Sequence, residues 1–375
     1  MSKSVAIGNS AVAPAGSKPG ALNEAVRSLQ ERVRAAVATR SPLVIRAGGT
    51  KDFYGNRTRA EHEVLDPRAY CGVIDYEPTE LVITACSGTP LAEVEAALAA
   101  HNQMLAFEPP HFGPSATLGG AIASGIAGPR RMASGSIRDF VLGATLLDGH
   151  ANVLTFGGNV MKNVAGYDVS RALAGSLGTL GMILDVSLKV MPRPALQQTL
   201  RFELTEADAI RCANEWAGQP LPISATAWFD GVLSVRLSGA KAGVRAAQAK
   251  LGGEVVVDDA TLWMALREQT QVFFQRLDGA ALWRLSLPPT TTPLNLGATL
   301  IEWRGAQRWL WSTAPAAQIR AKVVSVGGHA MVFRHDERND VFQPLAPALT
   351  QIHRRLKSEF DPAGIFNPGR MYSDL

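Results

Sequence analysis

An α+β fold in two parts is the architecture this sequence predicts, on three observations. Between residues 21 and 190, short apolar runs lead into three separate glycine-rich stretches, "RAGGT", "PSATLGGAIASG" and "GSLGTLGMI". From residue 198 to 258 the pattern runs strand, helix, strand, strand, helix, strand, the split βαβ order of a ferredoxin-like unit. Between the two regions stands "MPRP", whose prolines break the chain and place a boundary near Pro192 to Pro194.

Each element has its own signal. Residues 21–38 carry Leu22, Val26, Leu29, Val33 and Val37 at the spacing of an amphipathic helix. "LVI" at 43–45 is a short buried strand that empties into Arg46 and two adjacent glycines. Strands follow at 72–76 and 81–85, and Thr89-Pro90 caps a helix with Leu91, Val94 and Leu98 on one face. "FVLGATLLDGHANVLTF" reads as two strands about an Asp148-Gly149 turn. "LDVSLKV" alternates, with Val186, Leu188 and Val190 on one side. Beyond the boundary come strand 198–204, helix 206–217, a hairpin about Asp230-Gly231, helix 241–250 and strand 254–258. A helix at 260–277, strands near 282–287, 299–304 and 308–312, helix 315–325 and the strand "HAMVFR" suggest a second, incomplete unit of the same kind. The expected product is one antiparallel sheet covered by helices. A helix and a Pro/Gly-rich loop end the chain. Trp303, Trp309 and Trp311 are expected in the core of this second part, with a docking surface as the alternative.

Composition excludes several classes. A chain of 375 residues with 46% hydrophobic content can bury a sizeable core. Its net charge is +4 and no dense Lys/Arg run appears, so nucleic acid is not indicated. Cys71, Cys86 and Cys212 form no CxxC, zinc or iron–sulfur spacing, which points to a reducing compartment and leaves any cluster to another chain. Residues 1–20 lack a sustained apolar run and read as a flexible leader, not a signal peptide. The uncharged stretch Pro109–Pro129 has membrane-span length, but five glycines and four prolines make it a loop or a tight packing layer.

The glycine-rich stretches carry the chemistry. Glycine sits where a chain turns sharply or approaches something closely. In "RAGGTK" the backbone N–H groups of Ala47, Gly48, Gly49 and Thr50 can form an anion-binding concavity, with Arg46 and Lys51 beside it. Thr117, Leu118, Gly119, Gly120, Ser124 and Gly125 lay small residues along the second stretch, a surface for a flat ring or a pyrophosphate. Close helix–strand packing selects the same residues. Neither GxGxxG nor the Walker A pattern occurs. Three such loops in one region favour a single shared ligand.

On these motifs the run from Pro42 to Pro194 resembles the FAD-binding domain of the vanillyl-alcohol oxidase, or p-cresol methylhydroxylase (PCMH), type. The resemblance implies a two-subdomain FAD-binding domain over 21–194, with the ferredoxin-like antiparallel unit at 195–335 as cap and 336–375 returning to the first domain. It implies that Arg46 to Lys51 contact phosphates, and that Pro114, Thr117, Leu118, Gly119, Gly120, Ser124 and Gly125 line phosphates and flavin. Gly181 and Ile183 would add backbone contacts, and Asn367 and Gly369 of "FDPAGIFNPGR" would return to the flavin edge. "VMKNVAGYDVSRALAGSLGTLGMI", the short cap and the closing loop are similar to the FAD-binding subunits of bacterial glycolate oxidases. Covalent members of the family use a His or Cys in these loops; none stands there, so noncovalent FAD is implied. His111 is expected to be an ordinary loop histidine. The cap lacks the metal-binding histidine pair of related dehydrogenases, since "GGHAMVFRHD" has His329 and His335 without that pattern, and no metal is expected.

Oxidising a 2-hydroxy acid needs a hydride acceptor, a base and a cation for the carboxylate. Lys162, Asn163 and Tyr167 are expected to face the flavin ring, and Arg334 and His335 to reach from the cap as carboxylate anchor and base. This catalytic set is thinner than the cofactor loops. It leaves three readings open: a flavin-carrying subunit working with a sister flavoprotein and an iron–sulfur subunit, a self-sufficient 2-hydroxy-acid dehydrogenase, or a non-catalytic flavin-holding assembly subunit. The implied location is the cytoplasm, with peripheral contact to the inner face of the membrane through the complex left open.

Overall fold

The computed structural model describes residues 19–158, 168–275, 277 and 279–375. The expected leader, up to residue 18, and the expected ring-facing Lys162, Asn163 and Tyr167 lie outside the described residues. Helix α1 (Pro19–Thr39) buries Leu29, Val33 and Ala36, which recur at helical spacing, against the strands that follow. Strand β1 (Leu43–Ile45) pairs in parallel with β2 (Glu63–Leu65), a short strand with no sequence signal of its own.

The first large sheet contains β3 (Val73–Glu77), β4 (Val82–Cys86), β6 (Val141–Leu147), β7 (Val153–Gly157) and β8 (Met182–Lys189); β5 (Gln103–Met104) pairs separately with β9 (Met191–Pro192). Its order is β3-β4-β8-β6-β7, antiparallel throughout. Strands β4 and β8 are central and buried on both faces, hence their near-continuous apolar sequences. Met182 and Leu184 pack toward α1, whereas Val186 and Leu188 pack toward α2 (Leu91–Ala100) and α3 (Leu118–Ser124). The uncharged stretch 109–129 is therefore a loop running into α3, and among the described residues no helix is long and apolar enough to cross a membrane. Short helix α4 (Arg131–Ser134) packs against the second sheet, at strand Ile223–Phe229, whereas α5 (Val169–Ala172) packs on β6 and β7.

The second sheet has eight strands. Strand β10 (Leu196–Glu203), helix α6 (Glu206–Ala217), strands β11 (Ile223–Phe229) and β12 (Val232–Gly239), helix α7 (Lys241–Leu251) and strand β13 (Glu254–Val256) form the ferredoxin-like unit. After α8 (Asp259–Arg267) come β14 (Ala281–Ser286), β15 (Thr299–Glu302), β16 (Gln307–Ser312), α9 (Ala316–Val324) and β17 (His329–Arg334). The order β13-β10-β12-β11-β15-β16-β14-β17 sets two copies of one topology edge to edge. The second copy is incomplete because Pro288, Pro289 and Pro293 occupy the place of its first helix, where missing N–H donors and ring clashes forbid one. Trp303 and Trp309 are buried and Trp311 half-buried, in line with the core expectation.

One helix is shorter than its periodicity suggests. The expected run 260–277 stops at Arg267, and Val272–Phe274 form a separate 3₁₀ turn. Gln269 takes a left-handed φ of 54°, and the Glu268 carboxylate accepts from the backbone N–H groups of His111 and Phe112. That tertiary bond ends the helix where local sequence would continue it. Helix α10 (Pro347–Phe360) and the closing loop carry the chain back, where Leu43 N–H donates to Ile365 O and Asn367 N–H to Leu43 O.

Candidate functional site

The three glycine-rich loops meet at one place. A cleft of about 450 Å³ is lined by Arg46 to Lys51, by Thr117, Gly120 and Ser124 of the second loop, and by Leu177 of the third. A smaller hollow of about 80 Å³ continues from it, lined by Gly119, Gly120, Gly178, Gly181 and Ile183. Ile45, Ala47, Gly120, Ala123, Leu177 and Asn367 line both, so the two form one continuous site.

Asn367 joins the loops. Its φ of 41° is one that asparagine tolerates better than most residues. Its side-chain Oδ1 accepts from Ile45 N–H at 2.8 Å and its Nδ2 donates to Leu177 O at 2.6 Å. A single buried amide thus ties the opening loop to the third one. Behind it, the Asp361 carboxylate accepts from Ile365 N–H, Phe366 N–H and Lys357 Nζ, and Lys357 also donates to Thr179 O and Phe366 O.

Glycine has more than one role here. A Cβ at Gly48 would lie 1.6 Å from Ser115 O, and one at Gly119 would lie 2.6 Å from Ser87 Cβ, so these positions serve close packing between loops. A Cβ at Gly120 would meet only Thr117 Oγ1, at 3.3 Å, and would otherwise occupy the cleft. Ser87 Oγ is buried without a partner among the described residues and borders the smaller hollow. Among the described residues, six Lys or Arg side chains line the large cleft against one carboxylate, Asp52, which pairs with Arg46 at 2.6 Å. A cationic, glycine-floored cleft with an orphaned hydroxyl fits a dinucleotide pyrophosphate and its attached ring.

Not every expected residue is there. Pro114 is exposed, Leu118 is buried in the core behind the cleft, and Gly125 packs its Cα against Gly175; none lines either hollow. Gly369 is also absent from the lining, while its neighbour Arg370 is present. The structure does not bring Arg334 or His335 into the cleft. The Arg334 guanidinium lies over the rings of Phe53 and Phe112, at 4.6 and 5.4 Å, and burial pulls its pKa down to about 10. The His335 ring is turned to its own chain, its Nδ1 accepting from Glu337 N–H at 3.1 Å. His329 is exposed and pairs with the far edge of β14. His111 bonds Glu95 at 3.0 Å, as a loop histidine would.

Sequence reasoning missed Arg57, Arg59, His62, Arg338 and Arg370, all of which line the cleft. The first three stand in "NRTRAEH", close enough to the opening loop to have been read as its continuation. Arg338 and Arg370 arrive from remote segments and had no local signal. His62 adds a histidine at the cleft, outside the two loops in which neither His nor Cys stands.

Lys51 lies between the cleft and the cap. Its Nζ donates to His111 O and stands 5.7 Å from the Phe112 ring centre; burial lowers its pKa to about 8, with Glu268 pulling it back up. In the free protein this amine loses its proton from about pH 8, while the unfolded chain keeps it to about 10.5, so folding stability rises across that window. A phosphate beside Lys51 would bind the protonated form more tightly. FAD affinity is therefore expected to be flat below pH 7 and to fall as pH rises through 8, by at most about tenfold per unit for one proton. Fluorescence titration of FAD from pH 6.5 to 9.5 reads this, and Lys51→Met should abolish the slope. An unchanged slope in Lys51→Met places the amine away from the phosphates.

With the geometry in place, comparison with known proteins assigns the family. The FAD binding domain family matches residues 22–157, and the C-terminal domain of FAD linked oxidases matches residues 337–371. The glycolate oxidase subunit GlcE of Escherichia coli is 47% identical over 93% of this chain and 98% of its own length. The D-lactate dehydrogenase of Archaeoglobus fulgidus is 30% identical over 49% of this chain and 41% of its own, and the glycolate oxidase subunit GlcD of Bacillus subtilis is 29% identical over 45% and 36%. Among solved structures, an alkyldihydroxyacetonephosphate synthase superposes with a TM-score of 0.64 at 14% identity, covering 91% of this chain and 74% of that one, which establishes a shared fold. FAD is the cofactor these matches specify. The chain belongs to the FAD-linked oxidases, in the family of the glycolate oxidase subunit GlcE.

Proposed function

We infer that this chain is the noncovalent FAD-binding subunit of a 2-hydroxy-acid dehydrogenase complex that oxidises glycolate to glyoxylate. The observation that carries this reading is the 47% identity, over nearly the whole of both chains, to a glycolate oxidase subunit. Bound FAD supplies a two-electron acceptor for the hydride of the hydroxy acid. The residues of this chain hold it: Arg46, Lys51, Arg338 and Arg370 supply cationic charge for the phosphates, and Thr117 and Ser124 offer hydroxyls. Asn367 keeps the surrounding loops in register. Division of the chain at Pro192–Pro194 into a FAD domain and a cap suits this arrangement.

Electrons would leave through a partner iron–sulfur subunit, with a sister flavoprotein as the other companion. Among the described residues no group of three or more His, Cys, Asp or Glu is placed to hold a metal. A cytoplasmic position, with contact to the inner membrane face through the complex, belongs to the same reading.

A second reading, a flavin-holding subunit without turnover of its own, has one observation in its favour. The seam where the cap meets the FAD domain is filled by rings: Phe53 touches Phe112 and Phe333 at 5.2 and 5.4 Å, and Trp309 touches Phe333 at 4.8 Å. Anaerobic addition of glycolate to the FAD-loaded chain separates the readings. Bleaching of the isolated chain supports its own turnover; bleaching only with partner chains supports the subunit reading. No bleaching of its flavin in either setting leaves the assembly role. Acid denaturation should release all the FAD, and flavin retained on the polypeptide but lost in His62→Ala would show covalent attachment instead.

A further inference from the structure

A second cavity, of about 510 Å³, lies between the FAD domain and the cap and shares no lining residue with the flavin cleft. Four arginines line it, Arg130, Arg193, Arg236 and Arg267, against two carboxylates, Glu95 and Glu108. Arg267 is committed to Glu268 at 2.7 Å and stands 3.8 Å from Glu95. At the floor, two buried guanidiniums share one carboxylate: Glu108 accepts from Arg130 at 3.2 Å and from Arg236 at 2.8 Å.

Arg130 Nη2 donates to Gln197 and Arg236 Nε to Ser224, which leaves Nη1 of each without a protein partner among the described residues. Each Nη1, so left, keeps some exposure to solvent. Two buried cations on one anion are an incomplete set, because a buried charge needs an opposite charge and its hydrogen bonds satisfied. Burial lowers the pKa of Arg130, and the neighbouring Arg236 charge lowers it further. Beside Gln197 and Arg193, the other wall surfaces are largely apolar. Met104, Leu105 and Met264 line them, and the Trp263 ring holds the Arg236 guanidinium at 4.8 Å.

We propose that this junctional cavity binds a small organic carboxylate, whose carboxylate group engages the free Nη1 donors of Arg130 and Arg236 and whose carbon body lies on Met104, Leu105 and Met264. The guanidinium fork fits carboxylate and phosphate alike. The apolar walls decide for the organic anion, since an inorganic one would leave them uncovered. Such a ligand touches both domains at once, so its occupancy holds the cap against the FAD domain at a place remote from the flavin cleft.

Isothermal titration of the FAD-loaded chain with benzoate and with hexanoate tests this, with inorganic phosphate as the comparison anion. One-to-one binding with a dissociation constant near or below about 1 mM is expected for at least one carboxylate. Two rim variants, Ala260→Trp, which fills the mouth, and Arg193→Glu, which reverses its charge, sit at exposed positions clear of the Glu108 cluster. Each should weaken binding at least about tenfold while flavin content and the unfolding midpoint stay at wild-type values. The proposal is overturned if neither carboxylate binds at about ten times that concentration, if both variants bind like wild type, or if phosphate binds the cavity as tightly. Loss of flavin has no part in this readout, so the cofactor assignment stands or falls separately.

Discussion

Glu108→Gln is expected to destabilise the protein by roughly 3–5 kcal/mol, the cost of leaving buried charges uncompensated. The carboxylate lies between Arg130 and Arg236 at the junction of the two sheets, and also accepts from Arg130 N–H at 2.9 Å. Burial raises its pKa, but the charges of Arg236 and Arg130 outweigh this and hold it below the usual 4.5. A carboxyl depressed in the folded state contributes stability above its unfolded pKa and loses it as pH falls through the folded one. Wild type should therefore lose stability on the acid side of 4.5, and the variant should show a flatter acid limb. Glu302, buried nearby, has the opposite sign. Burial pushes its carboxyl up to about 7 against the hydrogen bonds from Trp309 and Gln307, so it costs stability as pH rises from 4.5 to 7. Urea unfolding followed by tryptophan fluorescence at pH 4, 5.5 and 7.5 resolves the two windows. A Glu108→Gln loss under about 1 kcal/mol at pH 7.5 means the arginines find other partners, and the junction is not held as described.

Local chemistry made the architecture legible. The ferredoxin-like unit could be read because β10, β11 and β12 alternate or run apolar between unmistakable turns such as Asp230-Gly231, and helices α6 and α7 carry their apolar residues at helical spacing. The second copy read as incomplete from its element order, and Pro288, Pro289 and Pro293 supply the physical reason. The flavin loops were legible because backbone approach requires glycine at Gly48 and Gly119 whatever else the fold does. Interactions made only by folding were hidden. Strand β2 exists because β1 needs a partner, and Arg338 and Arg370 reach the cleft from segments 286 and 318 residues beyond Asp52. Arg334 and His335 were the cation and the base that hydroxy-acid oxidation calls for, but the Phe53 and Phe112 rings and a backbone N–H captured them. A candidate base can be picked from sequence by type; whether it faces a substrate depends on packing that sequence pattern does not encode.

Gly120→Val should lower FAD affinity by at least about a hundredfold, roughly 2.7 kcal/mol, while leaving the chain folded. The position discriminates better than Gly49. Gly49 has φ of 70°, where a β-branched residue is strained, and a Cβ there would meet Arg46 Nη2 at 2.4 Å; loss of FAD in Gly49→Val would mix loop distortion with lost contacts. Gly120 sits inside α3, where φ is ordinary for any residue, and only Thr117 Oγ1 stands close to an added Cβ. Valine has a higher helix propensity than glycine, so the fold should persist, and its methyl groups would occupy the space shared by the two hollows. Purification without added FAD, then absorbance at 450 nm and titration with FAD, gives the answer. A colourless variant with a wild-type unfolding midpoint in the apo state places the cofactor over α3. A yellow one with unchanged affinity would mean that the three loops enclose a space the flavin does not use, and the cofactor assignment of the cleft would have to move.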